Sequence, residues 1–538
     1  MKLNINSLNQ ERSAWEAAGV ALPKYDIPKM VQKTLEAPTW IHFGAGNIFR
    51  GFIAALLDDL LNEGLAESGL IASDTHDHEI AGKIFKPFDN LTLMATLLPD
   101  GTTKNRVIAS IADCIKVDFS EPEEIGKLKK VFRSPSLQMV SFTVTEKGYG
   151  LTGIDGDFLP VVKKDIASGP SEVSHAMSVT AAMLYERYLA GAAPIAVVSM
   201  DNCSHNGEKL RSAVLTIVHA WEKAGFTDSG FTAYIEDEAR VSFPWSMIDK
   251  ITPRPADKVT EQLTALGIED MKPIITSKKT YIAPFVNAEG PQYLVVEDRF
   301  PNGRPALEKA GVYMTDRDTV NRVERMKVTT CLNPLHTALA VYGCVLGYQL
   351  IADEMKDPQL KKLVEKIGYD EGMKVVTDPG ILSPMDFIHE VIDVRLPNPF
   401  MPDSPQRIAT DTSQKVGIRF VETIKSYVAS DTLDAKDLTY IPLAIAGWLR
   451  YLLAVDDDLV PFELSADPML DELKKALDGI EIGDPQSAEG KLAPILSNKN
   501  IFGSDLYASG IADKVEEMFK KEIAGKGAVR ATLKEYLG

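Results

Sequence analysis

Apolar and polar positions change their period partway along the chain. In the first half, short apolar runs alternate with amphipathic stretches. Trp40–Phe43 suits a short buried strand, and beyond Gly44-Ala45-Gly46 the positions Ile48, Phe52, Leu56, Leu57, Leu60 and Leu61 recur at helical spacing up to Gly64. Gly69–Asp74 suits a second strand. Leu91–Leu98 and Val107–Ala112 alternate as strands joined by the turn Pro99-Asp-Gly-Thr102, and Gln138–Tyr149 reads as a buried strand opening into a polar loop. A helical pattern from about Ser174 to Ala190 precedes the apolar strand Pro194–Met200, and a short helix is expected over Gln10–Ala18. Strands alternating with helices argue for a mainly parallel sheet with helices on both faces.

From Glu289 to Pro305 the chain is rich in Gly, Pro, Asp and Arg, which places a domain joint there and predicts domains 1–290 and 291–538. Beyond it helical patterns dominate: Pro334–Tyr348, Gln359–Gly368, Thr412–Ser430, Leu443–Ala454, Met469–Leu477 and Ile511–Ile523. Ile441–Val455 is apolar almost all round, as expected of a helix at the centre of a bundle, with Pro442 in its first turn. The expected fold is an α/β Rossmann-type N-terminal domain with a mainly parallel sheet, followed by a mainly α-helical C-terminal domain.

Composition narrows the function classes. The 538 residues, 45% hydrophobic and 25% charged, suit an ordinary globular protein of two or more domains. A formal net charge of −18 argues against a nucleic-acid partner, though a pocket can still be locally basic. Cys114, Cys203, Cys331 and Cys344 show no C-x-x-C pairing, which points to a reducing compartment and away from a zinc cluster. There is no apolar signal core and no apolar run of the ~20 residues a membrane span needs, so a cytoplasmic protein without a membrane partner is expected.

The chemistry lies at the ends of strands. Strand, G-x-G, helix is an arrangement that lets backbone approach a pyrophosphate seated on the helix N-terminus. The third glycine of G-x-G-x-x-G is replaced by Phe49. Asp74, 28 residues past Gly46, stands where an acid accepts from the ribose hydroxyls of NAD and repels the extra phosphate of NADP; the alternative is a solvated loop acid beside Asp77. Gly44–Gly46, Asp74, Thr145–Gly148 and Asn202 all fall at carboxyl ends of strands, where such sheets bind ligands. In the second half, Glu324-Arg-Met-Lys-Val-Thr-Thr-Cys-Leu-Asn-Pro-Leu-His336 gathers a base and oxygen-polarising donors ahead of an apolar run. Asn333 before Pro334 is equally a good helix start, with Asn as N-cap.

Several motifs in order, covering about Trp40 to Phe420, resemble the polyol-specific long-chain dehydrogenases, the mannitol dehydrogenase family. They are Gly44-Ala-Gly-Asn-Ile-Phe-Arg50, Thr145-Glu-Lys-Gly-Tyr149, Asp201-Asn-Cys-Ser-His-Asn-Gly207, Phe243–Pro253, Val296–Phe300 with Gly303–Pro305, the Glu324–His336 stretch and Arg407–Lys415. The resemblance implies NAD-dependent, zinc-independent hydride transfer at a secondary alcohol or ketone. Gly44, Gly46, Asn47, Ile48, Arg50, Asp74, Thr145, Glu146 and Lys147 would then serve the cofactor. Lys327 would be the general acid/base, Asn202 and Asn333 would hold the substrate oxygen, His336 would orient substrate, and Glu324 would link Lys327 to water. Asp249, Arg407 and Lys415 would bind substrate hydroxyls or a carboxylate, and no metal ligand is implied. The expected reaction interconverts D-fructuronate and D-mannonate, with mannitol–fructose and tagaturonate–altronate chemistry as alternatives and a non-catalytic NAD-binding sensor as the contrasting class. In one respect the chain departs from the family: the interval from Lys327 to Asn333 is one residue longer. Either a local bulge absorbs that residue or the lysine is displaced.

Overall fold

The computed structural model of the chain describes residues 1–98, 101–153, 156–400 and 403–538, so Pro99 and Asp100 of the expected turn lie outside it. Two compact units emerge, Met1–Asn321 and Arg322–Gly538. The joint expected near residue 290 therefore falls inside the first unit. Hydrogen bonding is the reason: Tyr293–Glu297 pairs antiparallel with Ser246–Asp249 and parallel with Tyr313–Thr315, which keeps the chain in that unit.

The first unit is organised on six parallel strands: β1 (Trp40–Phe43), β2 (Leu70–Asp74), β3 (Ile111–Lys116), β4 (Met139–Phe142), β5 (Ile195–Ser199) and β6 (Val241–Ser242). Their order in the sheet is β3-β2-β1-β4-β5-β6. The order reverses between β1 and β4, the place where sheets of this kind bind ligands beyond the carboxyl ends of the strands. Alternation within each strand feeds two cores. Ile41, Phe43, Ile71, Val140, Phe142 and Val197 face one, while Trp40, Leu70, Ala72, Met139, Ala196 and Val198 face the other. Helix α1 (Ala54–Asn62) covers the second face; α2 (Pro122–Arg133), α3 (Ala176–Leu189) and α4 (Asn206–Lys223) cover the first.

Two local expectations change. Val107–Ala112 is not one strand: Thr103–Ile108 pairs with Thr92–Leu97 in a separate sheet, and Ile111 opens β3. The change of sheet occurs at Ser110, whose carbonyl already accepts from Leu70 N at 2.9 Å. The helix expected over Gln10–Ala18 is two short ones, Ile5–Gln10 and Arg12–Ala17, the first capped by the Asn4 side chain.

Arg187 of α3 is 1% exposed and spends all of its guanidinium N–H groups on carbonyls around the lower ends of β4 and β5. Its Nε donates to Ala193 O, Nη1 to Phe132 O and Ser134 O, and Nη2 to Leu137 O and Pro194 O, at 2.7–2.9 Å. Arg187→Met strands those carbonyls, and a loss of at least about 3 kcal/mol in urea unfolding is expected.

The second unit opens within α5 (Arg317–Met326) and is helical, with α6 (Asn333–Val345) buried nearly all round. Near its middle α6 packs on α9 (Tyr440–Tyr451), which packs on α10 (Ala512–Glu522); the intervening labels are α7 (Pro405–Ile408) and α8 (Glu422–Val428). Gly447 of α9 makes this closeness possible, since a Cβ there would lie 2.4 Å from the Tyr342 ring. No helix among the described residues is long and apolar enough to cross a membrane.

Where these three helices meet, the Tyr342 hydroxyl lies 2.8 Å from Leu443 O and 2.6 Å from Glu522 Oε1. The hydroxyl has one proton. If it is given to the carbonyl, the contact with Glu522 needs a proton from the carboxyl itself. Burial pushes Glu522 up to about 8, in spite of Arg450 nearby and with Asp457 adding to the rise. The folded chain thus holds a proton that an unfolded glutamate releases near pH 4.5. Stability from this group is complete below that pH and falls as pH rises to about 8, by about 1.4 kcal/mol per pH unit. Urea melts at pH 5 and pH 8 should show a smaller pH dependence in Glu522→Gln than in wild type; identical dependence would remove this assignment.

Candidate active site

The candidate residues of the first unit are built around Gly44. Its φ of +106° belongs to the region glycine favours, and a Cβ there would stand 2.2 Å from Thr143 O, so β1 and β4 can approach only with glycine at this turn. A Cβ on Gly46 would meet nothing within 4 Å, which leaves open space over the turn. The helix opens at Asn47, then runs through one π turn, Phe49–Ile53, into α1. Backbone N–H groups, a helix start and open space together fit the pyrophosphate of a dinucleotide.

Asp74 is not a solvated loop acid. It is 7% exposed, and its carboxylate accepts from Ala45 N at 3.2 Å, His76 N at 2.7 Å and Asp77 N at 2.8 Å. These bonds tie the glycine turn to the end of β2. Of roughly four lone-pair sites on a carboxylate, about one is left for a ribose hydroxyl. Arg50, by contrast, is fully buried: its guanidinium donates to Ala283 O at 2.8 Å and to Asn47 Oδ1 at 2.9 Å. Its contact with Asn47 lets it brace the helix start from beneath, and Ile48 is half-buried beside it.

After β4 the backbone of Thr145 takes φ +65°, unfavourable for a branched residue. Asp201, beyond the end of β5, holds it there, accepting from Val144 N at 2.8 Å, Thr145 N at 3.0 Å and Tyr149 Oη at 2.6 Å. Burial raises the Asp201 pKa while these donors oppose the rise. Glu146 and Lys147 are exposed, and Glu146 pairs with Lys209 of α4. Asn202 follows directly on Asp201 and is exposed. Asn206 then joins the end of β5 to the strand Ser246–Asp249 of a separate sheet: its Nδ2 is 3.0 Å from Asp201 O and 2.9 Å from Ser246 Oγ, and its Oδ1 accepts from Ser246 N at 3.0 Å. That strand ends in Asp249, which is 6% exposed.

The second unit, taken by itself, carries a further group of the sequence-predicted residues. Lys327, 2% exposed, begins a π turn, Lys327–Cys331, between α5 and α6. The turn is closed by Leu332 N donating to Lys327 O at 3.1 Å, an i to i+5 bond, and the α ladder resumes with His336 N to Leu332 O at 3.0 Å. The extra residue between Lys327 and Asn333 therefore sits in a bulge of the helix. Half-buried Glu324 is three residues earlier on α5, the spacing that makes helix neighbours. Asn333 does not cap: α6 starts at Asn333 itself, and its N-cap Leu332 offers no side-chain bond. Its amide is not engaged in closing the helix.

His336, in the first turn of α6, brings Nε2 to 3.0 Å from Asp403 Oδ2, an ionic approach too poorly aligned for a full hydrogen bond. Asp403 also pairs with Arg407 of α7, so His336 and Arg407 share one carboxylate. Lys415 turns inward and donates to Thr410 O; burial, with Arg419 and Arg407 adding, lowers its pKa. Arg419, in a further π turn (Gly417–Val421), donates to Thr337 Oγ1 at 2.5 Å, and Thr337 Oγ1 donates to Asn333 O at 2.9 Å. Sequence reasoning had passed over Asp201, Asp403 and Arg419. Asp201 opens a motif already singled out, and Asp403 and Arg419 each lie four residues from a residue that was named.

Gly44→Ala should lower the thermal midpoint and abolish dinucleotide binding, read by quenching of NADH fluorescence. The positive φ alone costs about 1–2 kcal/mol, and the Cβ overlap adds to it. Undiminished NADH affinity would show that the turn is not the cofactor's seat.

Comparison with known proteins places this geometry. Residues 38–309 match the mannitol dehydrogenase Rossmann domain, and residues 319–522 match the mannitol dehydrogenase C-terminal domain. The chain is 52% identical over 540 residues to a D-mannonate oxidoreductase of Thermotoga maritima, across 100% of this chain and 99% of that protein. It is 30% identical to a polyol:NADP oxidoreductase of Gluconobacter oxydans, across 86% of this chain and 88% of the relative. The solved Pseudomonas fluorescens mannitol 2-dehydrogenase, a ternary complex with NAD and D-mannitol, superposes with a TM-score of 0.72 at 27% identity over 99% of each chain. A substrate-free D-sorbitol dehydrogenase gives a TM-score of 0.78 at 26% identity, covering 96% of this chain and 98% of that one. Both halves of the sequence, and not the glycine turn alone, follow one pattern: the chain belongs to the mannitol dehydrogenase family.

Proposed function

We propose that the chain is an NAD-dependent oxidoreductase that interconverts D-fructuronate and D-mannonate. The observation that carries the substrate assignment is the full-length identity of 52% to the Thermotoga maritima D-mannonate oxidoreductase. The Gly44–Gly46 turn and the helix opening at Asn47 would hold the pyrophosphate, with Asp74 toward the ribose, which favours NAD over NADP. When bound, the nicotinamide accepts or returns hydride at the carbinol carbon.

The protein's own share is the proton and the oxygen. Lys327, buried at the π turn, takes the hydroxyl proton as hydride leaves and returns it in the reverse direction. Asn333, its amide not needed as a cap, donates to the same oxygen, and Asn202 is proposed as a second donor. Glu324, one turn before Lys327, passes the proton toward water. His336, steadied by Asp403, orients the substrate, and Asp249, Arg407 and Lys415 bind its hydroxyls or carboxylate. A cytoplasmic setting belongs to the same proposal, because none of the four cysteines is in a disulfide.

NADH consumption with D-fructuronate, D-tagaturonate and D-fructose tests the reading. Fructuronate should be preferred, and Lys327→Ala should lower kcat by about 10²–10⁴-fold. No turnover of any of the three by wild type would sink the reductase assignment. Full activity in the variant would move the base elsewhere. Lys250 is a poor substitute, because its Nζ already donates to Glu289 O at 2.5 Å and Gln292 Oε1 at 3.1 Å.

A further inference from the structure

The second unit buries cations unevenly. Arg407 has a carboxylate, Asp403. Lys415 and Arg419 do not: among the described residues no carboxylate pairs with either, and they donate to neutral oxygens, Thr410 O and Thr337 Oγ1. The acids that bear on Lys415 are Asp411 and Asp467. Asp467 is already engaged by Ser413 Oγ and by the N–H groups of Ser413 and Met469, at 2.5–3.0 Å. Burial lowers both cations, Arg419 to about 10, and each repels the other. Holding two partly desolvated like charges close together without a counter-ion is unfavourable unless an anion arrives to share them.

Their position says which anion. Arg419 touches Thr337, which bonds Asn333 O in the first turn of α6, the turn that also carries His336. The π turn bearing Arg419 packs on the π turn bearing Lys327, and Thr423 Oγ1 of α8 donates to Thr329 O at 3.3 Å across the same joint. An anion held here lies beside the oxygen-handling residues.

We propose that Arg419, together with Lys415, forms the seat of the substrate's carboxylate, and that Arg419 is the residue by which this chain distinguishes a sugar acid from a neutral polyol or ketose. The inference rests on the reading of the chain as a sugar-acid reductase and adds to it a residue and a reason for its substrate class. A guanidinium offers a planar, bidentate match to a carboxylate that a lysine cannot reproduce.

The test compares oxidation of D-mannonate with oxidation of its uncharged isostere D-mannonamide, together with NADH-dependent reduction of D-fructuronate. Wild type should favour mannonate over mannonamide by about 100-fold in kcat/KM, as expected for a charge-assisted, partly buried contact. In Arg419→Gln that ratio should collapse to below about 5, the loss falling mainly in KM, and Arg419→Lys should recover part of it. Equal use of acid and amide by wild type overturns the proposal without any variant, and so does a ratio that survives in a folded Arg419→Gln. Absence of fructuronate turnover in wild type would instead defeat the underlying reading, and the two failures are distinguishable.

Discussion

Everything proposed for the second unit depends on one irregular stretch of backbone, the π turn from Lys327 to Cys331. An α-helix advances about 100° per residue, so an inserted residue would rotate every side chain beyond it out of place. The i to i+5 bond from Leu332 N to Lys327 O takes up the insertion within one turn. Beyond it, Asn333, His336 and Thr337 present themselves from a regular α6, and Lys327 begins the turn directly after α5 ends at Met326. Wide turns of this kind are uncommon and concentrate at functional sites. Here the irregularity keeps Lys327 and Asn333, proposed as the base and an oxygen-holding amide, on one connected piece of chain.

A comparable economy runs through the first unit. At the ends of β1, β2 and β5 stands a residue that sets the approach or the loop of a neighbouring strand. Gly44 permits the approach to Thr143, Asp74 ties the end of β2 to the glycine turn, and Asp201 beyond β5 restrains Thr145 after β4. Asn206 then links β5 to the strand that ends in Asp249. Buried carboxylates and amides are expensive to desolvate unless each is hydrogen-bonded. Those at these strand ends meet that condition by fixing the loops beyond the carboxyl ends of the strands.

The parallel α/β half and the helical half were legible because burial imposes periods of two and 3.6 on a sequence, and the glycine turn because steric exclusion acts locally. The domain joint was misplaced because Gly and Pro near residue 300 mark turns between paired strands as readily as linkers, and pairing with Ser246–Asp249 is not visible locally. The π turn was foreseeable only as a surplus residue, since an α and a π turn have nearly the same apolar pattern over so short a length. Asp403 and Arg419 escaped for a tertiary reason. Their meaning lies in what they touch, His336 and Thr337, more than sixty residues away along the chain. Asn333 illustrates the opposite error: a dipeptide suited to capping turned out to begin the helix uncapped.

The central claim is that this π turn delivers the Lys327 amine to the reacting oxygen. A crystal structure of the complex with NAD and D-mannonate tests it most directly. The account predicts Lys327 Nζ at about 3 Å from the hydroxyl being oxidised, with the Asn333 amide on the same oxygen. A lysine turned away, beyond about 5 Å and with no single water between it and that hydroxyl, would contradict it.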